Sequence, residues 1–234
     1  MARIGQEFDR PATDLVESFR DLPTAILADV AQGEIVMDHD IKPVSAARAT
    51  VGTAVTVSPP PADNLTVHKA LTLAEPGDVL VVDAGGYREA AIWGELLSKS
   101  AQAHDLAGTV VDGAVRDADE IDSLGYPVYA RAVSPNPPGK EAVGAINVPV
   151  TCGGVGVDPG DIVVGDAAGI AVIESETAPA VRQDASSKLD REGELRDRVA
   201  NGEYLYDVLD LAERFERRLD DSPRSESGDP DEDA

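Results

Sequence analysis

Twice the chain turns on Pro-Gly-Asp and runs straight into an apolar, β-branched segment. Pro76 to Gly86 reads PGDVLVVDAGG, and Pro159 to Gly169 reads PGDIVVGDAAG. Each is a tight turn, a strand, an acid and a glycine-rich exit. The bland reading is two similar turn-and-strand units. The sharper one is that the Gly85-Gly86 exit lets backbone approach a ligand. The segments between and around these units alternate in period, helix with strand, and the strands are short and many. That combination predicts a layered α/β domain with a mixed sheet rather than a long doubly wound one.

The elements follow from local signals. Asp14 to Phe19 has helical spacing, Leu22-Pro23-Thr24 breaks it, and Thr24 caps a second helix, Ala25 to Ala31, ended near Gly33. VGTAVTV at 51–57 reads as a strand stopped by Pro59-Pro60-Pro61. Asn64 to Leu73 reads as a short helix, and Ala90 to Ala107 as a longer one ended by Gly108. Strands follow at Thr109–Asp112, Val128–Ala132, Gly144–Val150 and Ile170–Ile173, with a short helix at Asp117–Leu124 and a proline loop at 135–139. Three parts result: an α/β domain over 1–176, a charged helical segment over 177–221, and a disordered acidic tail over 222–234, where SPRSESGDPDEDA has almost nothing apolar.

Charge narrows the function classes. Asp and Glu number 44 against 20 Lys and Arg, a net of −24. Phosphate backbones need a basic footprint, so the balance argues against nucleic acid. Self-repulsion of this size weakens a compact chain unless salt screens it, and the composition reads as adaptation to a salt-rich cytoplasm. The alternative is an acidic surface for a basic protein partner. No apolar run approaches the roughly 20 residues that span a bilayer, and the chain reads as soluble and cytoplasmic. One cysteine, Cys152, excludes an internal disulfide and a cysteine-cluster zinc site. No GxGxxG or Walker A sequence follows a strand.

The segment carrying chemistry runs from Gly94 to Glu120. Glu95 is followed after 20 residues by Arg116-Asp117, and Glu120 comes three positions after Asp117. If Gly94 opens a helix, nearby backbone N–H groups are free for a small carboxylate. Arg116 has a planar fork that grips a carboxylate through two hydrogen bonds. Asp117 is a hard oxygen ligand, and Glu95 and Glu120 suit the waters of a hydrated Mg²⁺. The helix–strand unit between them returns the chain to one sheet edge, where these groups meet. A metal there polarises a carbonyl, which suits carbon–carbon cleavage to an enolate. The competing reading is surface charge and helix caps, because in so acidic a chain an acid beside an arginine is common.

With Ala91-Ile92-Trp93-Gly94-Glu95-Leu96-Leu97, Val111 to Asp117 and the Pro159-Gly160-Asp161 turn, this acid, Arg-Asp, acid pattern resembles the RraA-like family. That family comprises 4-hydroxy-4-methyl-2-oxoglutarate aldolases and the regulator of ribonuclease E activity A. The likeness covers about residues 20–175 and weakens through the tail helix near Gly202. It implies a β/β/α swivelling-domain fold assembled as homotrimers or homohexamers with sites at subunit interfaces. It implies that Asp117 ligates a divalent metal, Mg²⁺ or Mn²⁺. Arg116 would hold the carboxylate and carbonyl side of a 2-oxoacid substrate, and the backbone of Gly94, Glu95, Leu96 and Leu97 would take its other oxygens. Glu95 and Glu120 would serve the catalytic water shell. A glutamate from a neighbouring subunit's C-terminal segment completes the family site, here Glu192 or Glu194. The implied activity is metal-dependent cleavage of a 4-hydroxy-2-oxoacid to pyruvate, with oxaloacetate decarboxylation beside it. The other class is a non-catalytic regulator of a ribonuclease-like protein. The first acid is Glu95 where many relatives have aspartate, a longer arm with the same charge.

The remaining reactive residues read as structural. His39, His68 and His104 are dispersed, with no i,i+4 pair for a metal. His104 favours the C-terminal end of its helix. Lys99 and Lys140 read as exposed. Cys152 reads as a small core residue, Trp93 as packing or as a wall of the pocket, and Asp83 and Asp166 as turn acids.

Overall fold

In the computed structural model, which describes residues 3–5 and 7–220, four neighbouring parallel strands form the centre of one mixed sheet. In chain order the elements are β1 (Arg3–Ile4), α1 (Thr13–Glu17), α2 (Thr24–Val30), β2 (Lys42–Pro43), β3 (Thr50–Ser58), α3 (Leu65–Leu71), β4 (Asp78–Trp93), α4 (Glu95–Ala103), β5 (Gly108–Val115), α5 (Ala118–Leu124) and β6 (Val128–Val133). Then come β7 (Ala145–Ile146), β8 (Val150–Cys152), β9 (Val155–Val157), β10 (Ile162–Gly165), β11 (Ile170–Ile173), α6 (Ala178–Ala200), α7 (Leu205–Val208) and α8 (Ala212–Asp220). Strands β3, β4, β5 and β6 are parallel neighbours, so each connection must cross over, and α3, α4 and α5 make the three crossings.

Strand alternation sorts the core into two layers. Val55, Val57, Leu80, Val82, Val111, Val128 and Ala130 face one way, against Val67, Leu71, Leu97, Ala101 and Ile121 of the crossover helices. Ala54, Val79, Val81, Val110 and Tyr129 face the other way, against Val150, Cys152 and Val157 of the β8–β9 hairpin and Val163, Ile170 and Val172 of β10 and β11. The order is therefore β/β/α, as the resemblance implies. Both sheet faces are covered, which is why VLVV at 79–82 is apolar throughout. Each such side chain contributes about 1.5–3 kcal/mol on burial, against about 0–1 for a surface ion pair, so these two layers carry the stability.

The repeated Pro-Gly-Asp units flank the same strand. β4 pairs with β3 in parallel and β10 pairs with it antiparallel, and Thr53 faces Asp78 on one side and Ile162 on the other. In each turn the aspartate accepts the backbone N–H three residues back. Glu75 N–H donates to Asp78 at 2.7 Å, and Asp158 N–H to Asp161 at 2.8 Å. Gly77 and Gly160 sit at φ +87° and +100°, where a side chain is strained. The repeat is a structural device on both sides of β3.

Two local expectations are corrected. Ala90–Trp93 is not helix but the end of a 16-residue β4, paired to β5 through Ala91↔Ala114 and Trp93↔Val115. Gly85 and Gly86, at φ +63° and +71°, let the strand bulge and continue. Gly86 lies beside Arg131 and Asp112 rather than at the site described below. Thr24 is not an N-cap but the first residue of α2. Its N–H and Oγ1 both donate to the Asp166 carboxylate, at 2.9 and 2.7 Å, so a distant acid caps the helix.

The chain divides into two compact units, the first ending at Lys188 and the second beginning at Leu189. Ala178 and Ala185 of α6 are buried, and Arg182 Nε donates to Ser18 O at 2.6 Å. The first turns of α6 thus pack into the first unit. The second unit holds the rest of α6 with α7 and α8, and ion pairs Arg196–Glu192, Arg198–Glu203 and Arg217–Glu213 lie on it. The acidic tail at 222–234 lies outside the described residues. No helix among the described residues is long and apolar enough to cross a membrane.

Candidate functional site

Ligands in open α/β sheets collect at the carboxyl ends of parallel strands. Here four such ends gather one pocket of about 110 Å³. The chain after β3 brings Asn64 and His68, that after β4 brings Gly94, Leu96 and Leu97, and that after β5 brings Arg116 and Asp117. The chain after β6 brings Pro138 and Lys140. The separation between Glu95 and Arg116-Asp117 is the length of one helix and one strand, so both strand ends meet at one edge.

The turn out of β4 is fixed from behind. Trp93 Nε1–H donates to Ser98 Oγ at 2.8 Å, and Ser98 Oγ–H donates to Gly94 O at 3.1 Å, all in buried surroundings. Arg116 N–H donates to Trp93 O at 3.0 Å, which ties the exits of β4 and β5 together. Asp117 then adopts a left-handed backbone, φ 60° and ψ 43°, as the N-cap of α5. Its Oδ2 accepts the Glu95 N–H at 3.2 Å and lies 3.4 Å from Arg116 Nε. Gly94 allows this approach. A Cβ there would stand 2.7 Å from Asp117 Oδ2 and 3.0 Å from Arg116 Cγ. Arg116 and Asp117 remain half-buried at the pocket. The next two α4 amides, Leu96 N–H and Leu97 N–H, have no hydrogen-bond partner among the described residues.

The other expected groups are placed as follows. Glu95 is in the first turn of α4, and its carboxylate pairs with Lys99 one turn on. Glu120 is exposed in the first turn of α5. Glu192 and Glu194 are on α6 in the second unit, and Glu192 pairs with Arg196 at 2.9 Å. Leu96 is 74% exposed and Leu97 is buried. Trp93 is buried and lines the pocket, which joins its two readings. Asp83 and Asp166 are turn acids, each accepting the N–H two residues on. His104 ends α4 with Nδ1 on Ser100 O at 2.8 Å. Cys152 is buried, and burial pushes its thiol well up, with Asp112 and Asp83 adding to the effect.

Sequence reasoning missed Asn64, His68 and Lys140. Burial and the nearby Lys140 push the His68 imidazole below its usual value, so it is neutral near pH 7. Lys140 reaches the pocket because Asp63 clips its loop. One Asp63 oxygen accepts Leu65 N–H at 2.9 Å, and the other accepts Glu141 N–H and Ala142 N–H at 2.8 and 3.1 Å. Burial raises the Asp63 carboxyl, but these N–H bonds outweigh it and the net shift is downward. A depressed carboxylate contributes above its unfolded value and is lost as pH falls through its folded one. The clip should therefore persist through pH 3.8, the ordinary aspartate value, and open only below it. Asp63→Asn should open it at neutral pH. Hydrogen exchange at Glu141 and Ala142 should then accelerate at least about tenfold, the measure of one lost bond to a charged group. Unchanged exchange would mean the loop holds itself.

Two other places compete for attention. A larger groove of about 680 Å³ carries Asp83 and Asp158 but no cationic side chain, so it repels an anionic ligand. Asp38, His39 and Asp40 are the one group of three metal-type ligands within 4.8 Å of one another among the described residues. They are already engaged: Asp38 with Arg131 Nη1 at 2.9 Å and Asp40 with Arg88. Arg131 also pairs with buried Asp112, which makes this an ion network rather than an open site.

A sequence model of the RraA-like family, described as Aldolase/RraA, matches residues 16–172. A protein of Halalkalibacterium halodurans named "Putative 4-hydroxy-4-methyl-2-oxoglutarate aldolase" is 40% identical over 192 residues, which is 82% of this chain and 91% of that protein. The crystal structure of an uncharacterized protein from Pseudomonas syringae pv. tomato superposes with a TM-score of 0.77 at 25% identity, covering 86% of this chain and 98% of that one. Streptomyces coelicolor RraAS2, described as an unusual member of the RNase ES inhibitor RraA protein family, superposes with a TM-score of 0.74 at 28% identity, covering 81% and 99%. The match spans the four parallel strands, their three crossover helices and all four strand ends of the pocket, and the chain belongs to the RraA-like family.

Proposed function

We propose that this protein is a divalent-metal-dependent carbon–carbon lyase. Its substrate is a 4-hydroxy-2-oxoacid of the 4-hydroxy-4-methyl-2-oxoglutarate type, its product pyruvate, and oxaloacetate decarboxylation accompanies the reaction. The observation that carries this reading is the joint placement of Arg116, Asp117 and the Gly94–Leu97 turn at adjacent strand ends. Arg116 grips the carboxylate and keto oxygens with its planar fork. The Leu96 and Leu97 N–H groups, at the positive end of α4, take the remaining carboxylate oxygen. As the C3–C4 bond breaks, its electron pair moves toward the keto oxygen, and Arg116 neutralises the charge that develops there. The C4 hydroxyl gives its proton to solvent as C4–O becomes a carbonyl, and a proton from solvent at C3 completes pyruvate.

The residues fit a hard metal ion. Asp117 Oδ2 is engaged by the Glu95 N–H, while Oδ1 has no partner among the described residues. Asp117 would hold the ion through that oxygen, with Glu95 and Glu120 for its waters. An ion such as Mg²⁺ keeps several waters and needs few protein carboxylates. Bound there, it would supply Lewis-acid polarisation of the keto group. On this reading the chain works as a homotrimer or homohexamer, and Glu192 or Glu194 of one copy completes the site of the next.

Pyruvate release from a panel of 2-oxoacids, with and without Mg²⁺ or Mn²⁺, tests the activity. Release should need the metal and stop with a chelator. The second reading, a non-catalytic regulator, draws on the inhibitor name of the Streptomyces neighbour. Metal-independent binding of a basic protein partner, with no pyruvate from any acid, would favour it.

The net charge of −24 carries its own expectation. Raising KCl from about 0.1 M to about 1 M shortens the screening length from about 10 to 3 Å, and the melting temperature should rise. A flat or falling curve would argue against salt adaptation.

A further inference from the structure

The strand-end pocket is small for the acid it is to hold. Its volume of about 110 Å³ falls well short of the roughly 300–1,000 Å³ of ordinary small-molecule sites. A second depression, of about 340 Å³, adjoins it and shares His68, Leu96 and Leu97 with it. This groove lies between two crossover helices. α3 and its C-cap lend it His68, Leu71 and Thr72, three and four residues apart. α4 and its C-cap lend it Leu96, Ser100 and His104, each four apart. Those spacings put each trio on one helix face.

The absence of charge sets the groove apart. Asp, Glu, Lys and Arg make up 27% of the chain, yet none of the eight residues lining the groove is one of them. Leu96 stands where the groove meets the pocket. At 74% exposure it is the most exposed large apolar side chain described in the first unit. Contiguous apolar surface left in water marks contact with a ligand or partner. Here the contact is with the ligand of the adjoining pocket, because the two depressions share a wall. Lys140 lines the pocket but not the groove. Lys69 Nζ donates to Thr72 Oγ1 at 3.1 Å, one helical turn past His68, and so lies about 5 Å beyond the junction.

We infer that the groove between α3 and α4 is the subsite for the C4 arm of the substrate, and that it selects 4-hydroxy-2-oxoacids whose arm is an uncharged alkyl chain longer than methyl. This rests on the lyase reading of the pocket and deepens it. The carboxylate and keto oxygens stay with Arg116 and the α4 amides. The arm passes Leu96 and His68 and lies along Leu71 and Ser100. A charged arm would give up water there and meet no cation.

Three acids that differ only in the C4 arm test this: 4-hydroxy-2-oxoglutarates carrying methyl, isobutyl or carboxymethyl at C4. Isobutyl and carboxymethyl share a shape and differ in charge. Each methylene withdrawn from water is worth about fourfold, and one side of the groove is open to solvent. The isobutyl acid should therefore exceed the methyl acid in kcat/KM for pyruvate release by at least about fivefold. The carboxymethyl acid should fall at least about tenfold below the isobutyl acid. A carboxymethyl acid equal to the isobutyl one, or better, would place the arm at Lys140 and overturn the inference. Ser100→Phe fills the groove from α4, and the ratio of isobutyl to methyl should drop at least about fivefold. An unchanged ratio in a variant that melts with the parent overturns the inference. Binding without turnover needs no variant. In a thermal-shift titration with Mn²⁺ present, 6-methyl-2-oxoheptanoate should bind at least about fivefold more tightly than 2-oxopentanoate, and equal affinities overturn the inference. If that preference holds and no acid yields pyruvate, the lyase reading fails and the groove stands. If all three acids yield pyruvate with equal efficiency, the lyase reading stands and the groove fails.

Discussion

Asp117→Asn should lose metal and activity together, while Arg116→Lys should lose activity and keep the metal. Asp117 sits at φ 60° and ψ 43°, a backbone that asparagine adopts as readily as aspartate. The substitution therefore changes charge without adding strain, and the left-handed N-cap of α5 survives. Affinity for Mn²⁺ should fall at least about 100-fold, more than the loss of a supporting residue around a metal, which costs about 10–100-fold. Turnover should follow it down, because polarisation of the keto oxygen goes with the ion. Arg116→Lys keeps one positive charge but not the planar fork. The carboxylate and the developing enolate oxygen then lose two-point recognition, and kcat/KM should fall about 10²–10³-fold, the scale of one lost charge-stabilising donor. Both side chains are 35–40% exposed, so neither change should cost more than about 1 kcal/mol of stability. Calorimetric titration of Mn²⁺ and a thermal melt of each variant separate the roles. Equal Mn²⁺ affinity in the parent and in Asp117→Asn would sink the site assignment. Large melting losses with unchanged metal binding would return the pair to surface charge and helix capping.

What the sequence discloses and what it hides follow from how far each signal reaches. VGTAVTV is legible as β3 because β-branched residues in a row have one good home. The Pro-Gly-Asp turns are legible because their chemistry is local: a glycine at positive φ and an aspartate on a nearby N–H. Ala90–Trp93 is misread for the opposite reason. Ala-Ala-Ile-Trp has helical spacing, and only pairing with β5 across the sheet keeps it extended. Thr24 looks like a cap because Asp166, 142 residues away, cannot be seen from its neighbourhood. The pocket divides along the same line. Glu95, Arg116 and Asp117 fall on consecutive strand exits, so their spacing exposes them. Asn64 and Lys140 come from the exits of β3 and β6, and no spacing rule links them. Their only sequence signal is the strand order itself, in which the exits of β3 through β6 stand side by side.

Gly94→Ala should disable the site with almost no effect on the fold. The residue's backbone, φ −172° and ψ −168°, is extended and open to any amino acid, so alanine meets no strain there. The conflict is with the two side chains the site depends on. The added methyl would stand 2.7 Å from Asp117 Oδ2, 3.0 Å from Arg116 Cγ and 3.4 Å from Arg116 Nε. These groups are half-buried at the end of the sheet and can swing toward solvent, so the sheet need not adjust. Moving them breaks the Asp117 bond to the Glu95 N–H and misaims the arginine fork. Displacements of about 1 Å at a reacting centre cost about 100-fold in rate, and this substitution shifts two groups at once. A loss of at least about 100-fold in kcat/KM, with weakened Mn²⁺ binding and a melting temperature within a few degrees of the parent, is expected. Gly156→Ala is the control, since a methyl there meets nothing within 4 Å and its φ is unremarkable. It should leave activity, metal binding and stability unchanged. If Gly94→Ala keeps activity within about threefold, well short of that positional penalty, the close packing of Gly94, Arg116 and Asp117 has no part in the chemistry.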